Sequence, residues 1–186
     1  NSWVNKDLIR TLESLGAEVK IHGLTVPNCL SFFSEHYYSR YHLTEKKMRR
    51  ACYYFIRNYW IRLWINRLEA LLPENLKPFQ MLRSKTIIEK TKPILHYDID
   101  PILATFIARV QNFAGHGASG IGNIYVLNCM LGNSLVPLIR EALKPYKGIP
   151  ILNAMYDGQK ETNAKTRIEA FFHQAKIYHE RNYSGE

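Results

Sequence analysis

The chain has 186 residues, 46% hydrophobic and 22% charged, without low-complexity tracts; this suits one folded domain, with or without an appendage, and excludes a disordered segment. A formal net charge of +9 suits nucleic acid, an anionic small ligand or an acidic protein alike, and selects none of them. Three widely spaced cysteines, Cys29, Cys52 and Cys129, make neither a zinc framework nor a disulfide scaffold and point to a reducing, cytoplasmic setting. No signal peptide is read at the start. The most apolar stretch, 51–65, carries Arg57 and Arg62 and is too short and too charged to span a bilayer, so no membrane role is expected. The first residue is Asn and a helix begins almost at once, which reads as a piece of a longer protein.

In chain order, Asn5 can cap a helix over 6–15, with Leu8, Ile9, Leu12 and Leu15 at helical spacing and Gly16 as its stop. Residues 17–22 alternate as an edge strand with Val19 and Ile21 on one face. Past Pro27 the texture changes, and 30–41 is aromatic-rich and helical. Thr44 is a candidate cap for the longest helix, 45–72, whose stripe of Met48, Cys52, Phe55, Tyr59, Leu63 and Leu71 should face the core. Its seven cations, Lys46 to Arg67, form either a solvated face or a docking surface for an acidic partner; no nucleic-acid motif accompanies them. Pro73 ends this helix. Residues 79–82 and 86–95 look helical, the latter broken at Pro93, and Asp98 or Asp100 caps a helix through Asn112. The stretch 25–112 thus reads as a helical insertion or cap on a βαβα core over 113–186.

Gly115, Gly117 and Gly120 match G-x-G-x-x-G, but they follow a helix and lead into a strand, the reverse of a dinucleotide-binding turn. Residues 124–127 form a short apolar run, a buried strand; 129–134 is a small-residue corner; and a helix follows from Leu135, with Pro137 in its first turn. The layout repeats: 150–155 as a strand, 156–163 as a polar corner, 164–181 as a helix with Ile168, Phe171, Phe172, Ala175 and Tyr178 inward. Consecutive strand–helix units imply a parallel sheet, so the expected fold class is α/β, a three-layer, Rossmann-like parallel sheet with a helical insertion. In such a sheet both corners share one edge.

That crevice would gather Asn128, Cys129, Met130, Gly132, Asn133 and Ser134 with Asp157, Gly158, Gln159, Asn163 and Arg167. Cys129, ahead of a helix N-terminus, sits where a thiolate is favoured, as nucleophile or as metal ligand, or is an inert core thiol. Gly132 to Ser134 could offer backbone N–H groups to an anion. Arg167 could reach Asp157 or a bound anion. His116 and His173 have no partners at ligand spacing, and no catalytic triad or carboxylate pair is readable.

Several strings resemble a known family: Asn128-Cys129-Met130 with Gly132, Pro150 to Asn153, Tyr156 to Gln159 with Thr162-Asn163, and Arg167 to Phe171 with Gln174-Ala175. They are similar to the C-terminal part of proteins related to 2-hydroxyacyl-CoA dehydratase, and most of all to a domain of CoA-substrate-specific enzyme activases. The opening residues 5–19 resemble the start of the same region. The resemblance implies a dehydratase-like α/β module in a protein that couples ATP hydrolysis to low-potential electron transfer on CoA thioesters. It implies the parent's other domains as partners, a CoA thioester or other anion as ligand, and Cys129 as one ligand of a [4Fe-4S] cluster shared with other parts of the parent. Where the family has Pro-Gly-Thr after Cys-Met, this chain has Leu131-Gly132-Asn133. The alternatives are a self-contained enzyme using Cys129 as nucleophile, and a non-catalytic docking module using its basic helical face.

Overall fold

The structure, a computed structural model, describes residues 8–21, 25–71, 82–96, 100–146, 148–156 and 163–183. The expected Asn5 cap, Pro73 stop, Asp98 cap and Asp157-Gly158-Gln159 bend lie outside them. In order, the elements are α1 (Leu8–Ser14), α2 (Thr25–Ser39), a π-helical turn (Arg40–Thr44), α3 (Met48–Glu69), α4 (Ser84–Thr91), α5 (Pro101–Gly115), β1 (Ile121–Val126), α6 (Met130–Ala142), β2 (Ile151–Tyr156) and α7 (Ala164–Tyr183). The chain divides into two compact units, residues 22–109 and residues 1–21 with 110–186, the boundary falling inside α5.

The unit of 1–21 and 110–186 is built on β1 and β2, which pair in parallel from Ile121↔Ile151 to Val126↔Tyr156. Side chains alternate between faces, so Leu152 shares a face with Gly122 and Ile124, and Asn123 with Tyr125 and Asn153. Leu152 is buried with Leu8 and Leu12 of α1, against which Ile168, Phe171 and Phe172 of α7 pack. On the opposite face α6 lies so close to Tyr125 that Gly132 has no room for a side chain. Helices therefore pack on both faces of the parallel pair, α6 against β1 and α1 and α7 against Leu152 of β2, while Ile124 and Val126 of β1 stay exposed. Gly120 admits α7 in the same way, since a Cβ there would lie 2.7 Å from the Phe171 ring.

Among the described residues the sheet has two strands, and the protein is mostly helical, a smaller α/β core than a three-layer sheet. Residues 17–21 are not a strand: Ala17 and Val19 pack on the Leu8–Leu12–Leu152 cluster, while Ile21 is 67% exposed. Alternation gave them one buried face, but a strand also needs a ladder partner.

In the unit of residues 22–109, α2 packs along α3. Tyr54 is the hub: its ring stacks on Tyr37 at 5.4 Å and Tyr41 at 5.7 Å. Arg57 lies over Phe33 and Tyr54, and Arg50 over Tyr41. Burial and the neighbouring Tyr41 hydroxyl raise the Tyr54 pKa. Buried Ser31 donates to Asn58 at 2.8 Å, and Ser84 of α4 donates to Glu35. Asp100 caps α5, its carboxylate accepting from Ile102 N–H at 2.7 Å.

The α3 face differs from the one its spacing selects. Met48, Cys52, Phe55, Tyr59 and Leu71 are exposed, and the buried positions are Ala51 and Ile65, with Tyr54 and Asn58 half-buried beside them. Thr44 is not the cap either. It ends the π-helical turn, in which Glu45 N–H donates to Arg40 C=O at 3.0 Å, and Lys46 at φ 51° redirects the chain so that α3 starts at Met48.

Cys29 is buried in this unit, and burial pushes its thiol pKa up, partly offset by the Thr105 hydroxyl. Brief iodoacetamide treatment at about pH 8 is therefore expected to modify exposed Cys52 and spare Cys29 until denaturant is added, read by peptide mass. Early labelling of Cys29 would show that this core opens readily.

Candidate functional site

The site lies at the carboxyl ends of β1 and β2. Pairing continues one residue beyond β1, where Leu127 N–H donates to Tyr156 C=O at 2.7 Å. That bond ties the turn after β1 to the residue directly before Asp157-Gly158-Gln159 in sequence. The turn closes through Cys129 N–H donating to Val126 C=O at 3.0 Å, with Asn128 at φ 60°. Asn is among the few side chains that tolerate this left-handed conformation. Asn128 is exposed and has a clear backbone role.

Cys129 is half-buried and caps α6: its Sγ accepts from Gly132 N–H at 3.4 Å and its C=O from Asn133 N–H at 2.9 Å. The expected corner over 129–134 is thus already helix. Gly132, Asn133 and Ser134 lie within it, so the first two amides are engaged and do not form an anion-binding loop; Met130 and Leu131 supply the remaining first-turn N–H groups. Pro137 falls inside the helix rather than at its start. Gly132 misled because it answers to close packing, not to a turn.

Asn163 is exposed immediately before α7, and its C=O accepts from Arg167 N–H at 3.1 Å. The Arg167 guanidinium donates to Asn153 C=O at 2.6 Å. The carbonyls of Pro150 and Tyr156 face β1, so by alternation that of Asn153 faces the far edge of β2, where Arg167 is held. Arg167, Tyr156 and Ala154 line a recess of about 40 Å³ with Leu152 and Ile168. It admits a water or one end of a ligand, against the ~300–1,000 Å³ of a pocket that engulfs one.

Two features escaped sequence reading. Asn123 and Asn153 form a cross-strand pair at 3.0 Å, with Asn123 buried. Two asparagines thirty residues apart give no signal until the register is known. The run 124–127, expected to be fully buried, leaves Ile124 at 47% and Val126 at 62% exposure, and Met130 beside it at 78%. Val126 and Met130 flank the Cys129 turn in sequence, and among the described residues the edge of β1 away from β2 has no strand beside it.

Cys29 and Cys52 belong to the unit of residues 22–109, Cys129 to the other. Among the described residues no three His, Cys, Asp or Glu side chains come together to hold a metal ion. The residues therefore do not fit a whole iron–sulfur cluster, which takes several thiolates. His116 hydrogen-bonds Asn112 C=O at 2.7 Å and is structural. No helix among the described residues is long and apolar enough to cross a membrane.

No family model, curated protein or solved structure matches the chain.

Gly132 offers a test of how tightly α6 is seated. Gly→Ala within a helix ordinarily gains up to ~1 kcal/mol, but a Cβ here would lie 2.5 Å from Tyr125 Cβ. Gly132→Ala is expected to lose about 1–3 kcal/mol by chemical denaturation, and in a double-mutant cycle Tyr125→Gly, which removes that Cβ, to relieve part of the loss. An unchanged or raised midpoint would mean that α6 lifts off β1 at no cost.

Proposed function

We propose that the chain is an α/β module of a protein related to 2-hydroxyacyl-CoA dehydratases and CoA-substrate-specific enzyme activases. In this reading it contributes one wall of a crevice in which a CoA thioester or a redox centre is held, and does not catalyse alone. One observation carries the reading. The Leu127–Tyr156 hydrogen bond holds the Asn128-Cys129-Met130 string at the sheet edge where Tyr156-Asp157-Gly158-Gln159 begins. These are two of the strings on which the resemblance rests, and they come from sequence-distant strand ends.

The finer fold belongs to the same proposal: a three-layer, Rossmann-like sheet completed by strands beside β1, whose open edge and exposed Ile124 and Val126 support it. Parallel sheets are ordinarily covered on both faces and rarely stop at two strands. The small recess near Arg167 supports an anionic ligand held at one end, the rest covered by other parts of the parent protein. Cys129 supplies one thiolate at most to any cluster, and the remaining ligands come from those other parts. The absence of disulfides among the three cysteines supports a cytoplasmic setting.

The test is anaerobic purification of the full-length parent, with iron and acid-labile sulfide assayed beside Cys129→Ser and Cys52→Ser variants. Loss of iron in Cys129→Ser alone, with unchanged thermal unfolding, is the expected result. Equal iron in all three proteins removes Cys129 as a ligand, and iron-free parent protein removes the redox centre from the proposal.

A further inference from the structure

Independently of the dehydratase-like reading, α3 presents an apolar face to solvent. Ala51, Tyr54, Asn58 and Ile65 mark the side turned toward α2. About half a turn away, at spacings of four, three, four, four and three, stand Arg49, Tyr53, Ile56, Trp60, Trp64 and Arg67. The four apolar members are 50–59% exposed, and with ~150–250 Å² per aromatic side chain they offer on the order of 500 Å². Isolated exposed apolar residues need no explanation, but a contiguous patch of this size marks an interaction site.

The charges select the occupant. Arg49 and Arg67 stand at the two ends of the patch, about 27 Å apart at the helical rise of ~1.5 Å per residue. Arg67 is braced over the Trp64 ring at 5.8 Å. Arg50 and Arg57 lie over Tyr41, Phe33 and Tyr54 instead, on the α2 side. A second copy docked face to face would bring arginine against arginine at both ends, whether the helices ran parallel or antiparallel. An anionic lipid layer calls for clusters of about four to eight cations, and this face has two. A straight helix surface also lacks the groove that tracks a nucleic-acid backbone.

We propose that the outward face of α3 docks an amphipathic helix of a partner protein, with an apolar stripe over Trp60 and Trp64 and carboxylates at both ends reaching Arg49 and Arg67. Helix-on-helix packing supplies the affinity, and the terminal ion pairs set register and partner choice.

The probes are two labelled synthetic amphipathic helices with the same leucine stripe, one flanked by glutamates and one by lysines, together with phosphatidylglycerol vesicles and oligo-dT. Anisotropy and a blue shift of indole emission should report saturable, salt-sensitive binding of the glutamate-flanked helix alone. Trp60→Ala, and Arg49→Glu with Arg67→Glu, should each weaken it about tenfold or more; since all three positions are exposed, helical content by circular dichroism should not change. No saturable binding, equal binding of both helices, or preferential capture of vesicles or oligo-dT overturns the proposal. So does a concentration-dependent dimer that Trp60→Ala abolishes, which would make a second copy the occupant. None of these results bears on the iron assay, so the two readings stand or fall separately.

Discussion

The parallel register of β1 on β2 is the constraint on which the sheet-bearing unit depends. Parallel strands cannot be joined by a tight hairpin, so the chain must cross over, and α6 is that crossover. Once Ile121 lies beside Ile151, alternation decides the rest: Leu152 must face α1 and α7, Asn123 must meet Asn153, and both carboxyl ends must emerge on one edge. Shifting β2 by one residue would drive Leu152 out of its cluster with Leu8 and Leu12, and shifting either strand would separate the two amides. The buried leucines, at ~1.5–3 kcal/mol each, and the amide pair both penalise such a slip. The Leu127–Tyr156 bond extends the same register into the turn that carries Cys129.

The unit of residues 22–109 is held by other means. Its interior between α2 and α3 is aromatic, with Phe33, Tyr37, Tyr41 and Tyr54 in offset contact and guanidinium groups of Arg50 and Arg57 laid over the rings. Such contacts let cations sit against a packed interior while their charge stays near water. Sequence patterning therefore reads the seven cations as a solvated or docking face, although Arg50 and Arg57 are engaged over the rings.

What could be read from the sequence divides along physical lines. The strands β1 and β2, their parallel direction and the inward residues of α7 were legible because each follows from a local pattern, and Asp100 is one of the two caps that the sequence offered for α5. The buried side of α3 was not legible. Tyr53 to Ile56 and Tyr59-Trp60 place large apolar groups on several faces at once, so spacing selects the Met48–Cys52–Phe55–Tyr59 stripe although it is exposed; small Ala51 and polar Asn58, the residues that admit α2, look like interruptions instead. The start of α6 was misread because glycine serves both turns and close contacts, and only the Tyr125 ring tells them apart. Of the candidate crevice, the Cys129 half is defined by the turn geometry, while Arg167 is seen bound to a backbone carbonyl, a partner that carries no sequence signature.

Among the described residues no strand lies along the outer edge of β1, and this also governs how the chain behaves by itself. Unpaired ladder positions flanked by Ile124 and Val126 are a template for any strand that comes near, including one from a neighbouring molecule. Held at high concentration, the protein is predisposed to stick to itself along that edge. A stoichiometry measured there would include edge-to-edge pairing that grows with concentration.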